Sequence, residues 1–132
     1  MEQMTGGSET LRERELTIAR EIAHAFLTAS TSVEVYRLAL ARVTPFVRAS
    51  FSSVFERDPS DPTLLKLTCA NNWPQSSARY LGQLRIREGR GPTGRAVAEL
   101  RPVEARDVFA GPALPGSVDP ARELGFSSLI SL

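Results

Sequence analysis

The sequence predicts an α+β domain built on an antiparallel sheet, and three observations predict it. Residues 9–29 repeat apolar side chains at helical spacing, with Leu11, Ile18, Ile22, Ala25 and Ala29 along one stripe. Two strand-like runs, Phe51-Ser52-Ser53-Val54-Phe55-Glu56 and Leu64-Leu65-Lys66-Leu67-Thr68-Cys69-Ala70, flank the loop Asp58-Pro59-Ser60-Asp61-Pro62. That loop is too short for the crossover a parallel pair needs, so the two runs read as a hairpin. Leu84-Arg85-Ile86-Arg87 then alternates apolar with charged, the pattern of a strand with one face in water.

The bulk properties bound the function. A length of 132 residues is enough for one domain with a real core and too short for two. Basic and acidic side chains number 16 and 15, and they are scattered, so no basic stripe marks a nucleic-acid surface. No apolar run approaches a membrane span, and Met1-Glu2-Gln3-Met4 opens no signal peptide. One cysteine, Cys69, forbids an internal disulfide and suits a reducing cytoplasm. With one histidine beside it, a closed structural zinc site is excluded, and no metal is expected.

Residues 1–8 are polar and glycine-bearing and read as a flexible tail, leaving 9–132 as a single domain. The first helix also carries Leu16, Ala19, Ala23, Phe26 and Leu27, a surface broad enough for two partners, the domain's own sheet and a second helix. Thr31-Ser32-Val33-Glu34 reads as a capping box opening a second helix, with Val35, Leu38, Ala39, Val43 and Val47 inward. Pro45 kinks or ends that helix. In the second strand Leu65, Leu67 and Cys69 line one face, and Asn71-Asn72-Trp73-Pro74 stops it. A short helix through Tyr80 precedes the third strand. Arg95-Ala96-Val97-Ala98-Glu99-Leu100 forms a brief helix stopped by Arg101-Pro102, followed by a strand over 103–108. The loop 110–118 is rich in proline and glycine, Asp119 caps a single turn ending at Gly125, and 126–132 begins a last strand.

Gly89-Arg90-Gly91-Pro92-Thr93-Gly94 matches the glycine spacing of a dinucleotide fingerprint, with Asp107 downstream at about the distance of a ribose anchor. That reading needs a buried parallel strand before the glycines and a long helix after them. The strand here is half solvated, the helix is brief, and Pro92 removes a backbone donor where a phosphate wants one. The glycines are therefore read as a tight strand-to-helix joint, with Gly89, Gly91 or both at positive φ.

These elements in this order resemble the GAF domain family, the small regulatory modules on a PAS-like sheet. The resemblance is carried by the glycine joint running into Arg95-Ala96-Val97-Ala98-Glu99, by Arg101-Pro102-Val103, by Asp107-Val108, and by Arg122-Glu123-Leu124-Gly125-Phe126-Ser127-Ser128-Leu129-Ile130-Ser131-Leu132. It implies an antiparallel sheet with the N-terminal helices on one face and short helices and loops on the other. It also implies a sensory module of a signal-transduction protein, joined to an output domain and dimerising through a terminal helix. The residues expected at that dimer contact are Leu11, Ile18, Ile22, Ala25 and Ala29. Some relatives bind small molecules between the sheet and the glycine-joint side, which places Phe55, Cys69, Trp73, Tyr80, Val97, Asp107 and Phe109 around a possible ligand. The sequence lacks the N-K-F-D-E motif of the phosphodiesterase-type cyclic-nucleotide binders, and no cofactor is named. The chain also stops at Leu132, before the family's closing strand and helix, so the strands at 51–56 and 126–132 are expected to lack the strand between them.

Each candidate has a plainer reading. Cys69 sits in the inward phase of an apolar strand with no cation beside it, so a small core hydrophobe is favoured over a reactive thiol. His24 lies on the charged flank of the first helix, which favours a surface role over a haem ligand. Trp73, Tyr80 and Phe109 stack on a planar ligand or cap the core, and the sequence leaves both open. Asp107 is favoured as a loop-fixing acceptor over a ligand anchor. The expectation is a cytoplasmic, non-catalytic regulatory module that binds neither nucleic acid nor membrane. A ligand or partner is expected to shift the glycine joint and the loop 110–118, and the first helix to carry that shift to its dimer contact. Two alternatives stand beside this reading: a ligand-free dimerisation scaffold, and a small thiol-dependent enzyme using Cys69.

Overall fold

The computed structural model of the chain describes residues 10–108, 126 and 128–132. The expected tail 1–8, Phe109, the loop 110–118, Asp119 and Gly125 lie outside the described residues. The chain divides into two compact units: residues 1–54 with 68–73, and residues 55–67 with 74–132.

The first unit is built on two helices. Helix α1 spans Leu11–Thr28 and starts where a capping box satisfies two orphan amides. The Glu13 N–H donates to Thr10 Oγ1 and the Thr10 N–H to Glu13 Oε2, each at 3.1 Å. The spacing Thr10-Leu11-Arg12-Glu13 carries this signal, one residue inside the helix start expected at residue 9. Helix α2, Ser32–Phe46, opens as expected at Thr31, whose hydroxyl accepts from the Glu34 N–H at 3.3 Å. The reciprocal half of the expected box differs: the Glu34 carboxylate accepts from the Ser30 N–H, one residue before the cap. Pro45 leaves room for one more residue before α2 stops at Phe46. Val47, expected inward, follows that end and is 59% exposed. Val35 and Thr44 are buried. The helices are joined by an ion pair between Glu21 and Arg42, and by the Arg14 guanidinium lying 5.4 Å over the Phe46 ring.

Strands β1 (Ser52–Asp58) and β2 (Asp61–Asn71) form the expected hairpin, and its strands run through both units. In the first unit, Thr44 and Ser52 share a hydroxyl contact of 2.6 Å. Trp73 stacks at 5.3 Å on Phe51 and donates its indole N–H to the Ser52 carbonyl.

In the second unit the hairpin closes through Pro59 and Ser60 alone, so the connection is tighter than the five-residue loop expected. The reason lies in the two aspartates. Asp58 accepts from the Ser60 N–H at 2.8 Å, and Asp61 accepts from both the Thr63 N–H and hydroxyl, so each braces a strand end. Pro62 is tolerated because it sits at the start of β2. A 3-10 turn at Gln75–Ser77 leads into helix α3, Ala78–Gln83, which buries Leu81. Strand β3, Arg85–Arg87, runs antiparallel to β2 with Leu65 opposite Ile86, giving the order β1-β2-β3. Helix α4, Gly91–Glu99, follows.

Strands β4 (Val103–Ala105) and β5 (Leu129–Ser131) then pair antiparallel as a separate two-stranded sheet, with Glu104 opposite Ile130. Both are shorter than expected. Val108 is buried beyond the end of β4, packed by Ala105, Phe126 and Leu129, so the apolar signal at 108 belongs to core packing rather than to a strand. Leu65, Leu81, Ala96 and Val103 are also buried in this unit.

Candidate functional site

The glycine segment is a structural joint. Gly89 and Gly91 both have positive φ, 88° and 64°. The Gly89 N–H donates to the Gly94 carbonyl at 2.8 Å, Arg90 to Arg87, and Gly94 to Arg90. Those amides are consumed within the chain, so they form no cradle for a phosphate. Helix α4 starts at Gly91, inside the motif, rather than after it as the sequence suggested. Pro92 is therefore placed where a missing N–H costs nothing, and its ring is buried. Gly94 is the most constrained of the three. A Cβ there would fall 2.3 Å from the Arg87 carbonyl oxygen.

Two ion pairs fix the strands leading into this joint. The Arg85 guanidinium donates to Asp58 at 2.8 Å, and Arg57 reaches Glu88 at 2.9 and 3.1 Å in a two-pronged pairing. The Ser60 amide and then Arg85 hold the Asp58 carboxyl below its ordinary value, and the Arg57 hydrogen bond does the same for Glu88. The Thr63 hydroxyl and amide depress Asp61. None of these groups is poised for proton transfer near neutrality.

A cleft of about 330 Å³ opens in the first unit, between α2 and the end of β2. Arg37, Leu40 and Ala41 line it from the helix, one turn apart on one face; Cys69, Ala70 and Asn71 line it from the strand. Cys69 is buried, Asn71 half-buried, and Arg37 exposed with no ion-pair partner among the described residues. The lining offers one cation, Arg37, and one side-chain amide, Asn71, beside Leu40, Ala41, Cys69 and Ala70.

Of the expected ligand residues, Cys69 alone lines this cleft. Trp73 lies in the same unit, engaged with Phe51 and Ser52. Phe55, Tyr80 and Val97 are half-buried in the other unit, and Asp107 is exposed there. Among the residues expected at the dimer contact, Leu11 is 68% exposed, while Ile18, Ile22, Ala25 and Ala29 are half-buried. Sequence reasoning missed Arg37, Leu40, Ala41, Ala70 and Asn71. Spacing alone could have placed the first three on one helix face, but not that face beside the end of β2. Among the described residues no cluster of three or more His, Cys, Asp or Glu could hold a metal ion, and no helix is long and apolar enough to cross a membrane.

No protein-family sequence model matches the chain, and no characterised protein matches it in sequence. Its fold does match solved structures. The A. aeolicus nlh2 GAF domain in an inactive state is similar with a TM-score of 0.65 at 16% identity, over 87% of this chain. The GAF domain of a phosphoenolpyruvate-protein phosphotransferase from Coxiella burnetii is similar with a TM-score of 0.62 at 21% identity, over 80% of this chain. The chain spans 65% and 60% of the lengths of those two chains. It has the mixed helix-and-antiparallel-sheet fold of GAF domains.

Proposed function

We propose that this GAF-fold chain is a regulatory module: it takes a small molecule and returns a change in helix packing, without catalysis of its own. The observation that carries the proposal is the double duty of α2. One face of α2, through Arg37, Leu40 and Ala41, lines the cleft. Arg42 and Phe46 of the same helix hold α1 through the Glu21 ion pair and the Arg14 contact. A molecule seated against Arg37 that shifts α2 must therefore work against the contacts that orient α1. It shifts the population between two packings only by as much as its affinities for them differ. The expected occupant is a small carboxylate or phosphate ester with an apolar portion. The likeness to GAF domains supports the regulatory class and leaves the ligand to this site's chemistry.

The test is dye-free thermal unfolding of the chain against cyclic nucleotides, adenine nucleotides and small carboxylic acids. A compound that binds only the folded state raises the midpoint, by mass action. Arg37→Ala should abolish the stabilisation by anionic compounds while leaving the unliganded midpoint unchanged. If no compound moves the midpoint, the chain is a ligand-free scaffold. The thiol-enzyme alternative is answered separately: buried Cys69 should react with a thiol reagent only as fast as the protein opens.

A further inference from the structure

Arg37 stands at the cleft without a partner. Along α2 the one acidic side chain within a turn of it is Glu34, and that carboxylate is drawn back to the Ser30 N–H at 2.9 Å. No ion pair engages Arg37 among the described residues. The lining of the cleft holds no carboxylate: Leu40, Ala41 and Cys69 supply apolar surface, and Asn71 the one side-chain amide. At about 330 Å³ the cleft stands at the small end of the roughly 300–1,000 Å³ that ligand sites occupy. That is room for a compact molecule rather than for a base, a ribose and a phosphate together.

We infer that this cleft takes a short aliphatic monocarboxylate, with Arg37 on its headgroup and Asn71 supplying the second side-chain donor. Charge and donor count select that class. A guanidinium offers two parallel N–H groups, which match two carboxylate oxygens and one negative charge. A phosphate monoester brings a charge of about −1.5 to −2 and three strong acceptor oxygens, which one cation and one amide leave undercompensated. Sites that hold phosphate add free backbone N–H groups at a helix N-terminus. Here α2 begins at Ser32, so Arg37 lies in its second turn, where the backbone amides are already bonded along the helix. The same lining rejects a cation, which would meet Arg37 and no counter-charge. An α-amino acid is disfavoured for its ammonium on the same ground. The inference rests on the proposed ligand-taking role of the cleft and narrows its occupant.

Trp73 is the chain's one tryptophan and lies two residues beyond Asn71, so its fluorescence reports on the strand end at the cleft. The test is titration of the chain with four probes that share a tail: hexanoate, hexanamide, hexyl phosphate and hexylammonium. Binding is followed by Trp73 fluorescence and by calorimetry. Hexanoate should bind most tightly, hexanamide and hexyl phosphate each about tenfold more weakly or worse, and hexylammonium not at all. Arg37→Ala should abolish hexanoate binding without moving the unliganded unfolding midpoint, and Asn71→Ala should weaken it. Arg37→Glu should exchange the preference, so that hexylammonium binds and hexanoate does not. Hexyl phosphate binding as tightly as hexanoate overturns the inference, and so does hexanoate binding that Arg37→Ala leaves intact. The two readings fail separately. A nucleotide that raises the midpoint while none of the four probes binds ends the inference and leaves the regulatory reading standing; no response to any compound ends both.

Discussion

Gly94 leaves no room for a side chain, because its neighbour across the joint is backbone and backbone cannot rotate away. Gly94→Ala forces Arg87 and the start of α4 apart, since the added Cβ would stand 2.3 Å from a carbonyl oxygen. The expected cost is about 2 kcal/mol or more in urea unfolding. Gly89 presents the opposite situation: a Cβ there meets nothing within 4 Å, so its φ of 88° is its only constraint. The sequence made Gly89 and Gly91 legible as backbone positions through the turn they had to form. It gave no sign that Gly94 was the tighter one, because close approach depends on where the preceding strand ends. Leu100 violates the same preference without compensation. It ends α4 at φ 53° and is 90% exposed. Leu100→Gly should stabilise the chain by about 0.5–1 kcal/mol, because it relieves left-handed strain and forfeits no burial. A lowered or unchanged unfolding midpoint would show that the Leu100 conformation is not strained.

Among elements, the three-stranded sheet depends on its charges in a pH-dependent way. Asp58 ends β1 and Arg85 begins β3, while Arg57 and Glu88 form the second pair. Asp58, Asp61 and Glu88 all have folded values below their ordinary ones. Their contribution is fully present above the unfolded carboxyl value of about 4 and is lost as pH falls through the lower folded values. Urea unfolding midpoints should therefore be level from about pH 7 to 5 and fall below about pH 4. Asp58→Asn should lower the plateau and make the acid decline shallower; an unchanged acid limb would show that the Asp58 carboxylate, held by the Ser60 amide and Arg85, does not link folding to pH. Element types were readable because each has a local cause: apolar spacing in α1, a threonine cap in α2, alternation in Leu84-Arg85-Ile86-Arg87. Strand lengths were not, since β2 gains its first residues from the aspartate braces and β4 stops before Val108 turns into the core. The face of α1 that meets α2 was equally hidden. Its two apolar stripes look alike in sequence, and Glu21–Arg42 decides between them only once the helices are packed.

At the scale of the whole molecule, the fold class followed from element order, whereas the cleft did not. Arg37 reads in sequence as a solvated helix charge and Asn71 as a strand stop; only tertiary packing sets both beside Cys69. The central claim is that the cleft and the contacts holding α1 are two ends of one helical lever. Coupling of that kind is reciprocal: a molecule that favours one packing of α2 must change how firmly α2 holds α1, and by the same factor a change in those contacts must alter the molecule's affinity. The decisive measurement is the dissociation constant, by calorimetry, of the compound that most raises the unfolding midpoint. It is compared between the wild type and Arg42→Glu, which turns the Glu21 ion pair into a repulsion. The account predicts a change of about threefold or more, in either direction. An unchanged dissociation constant would contradict it, leaving a site that binds and a helix pair with no communication between them.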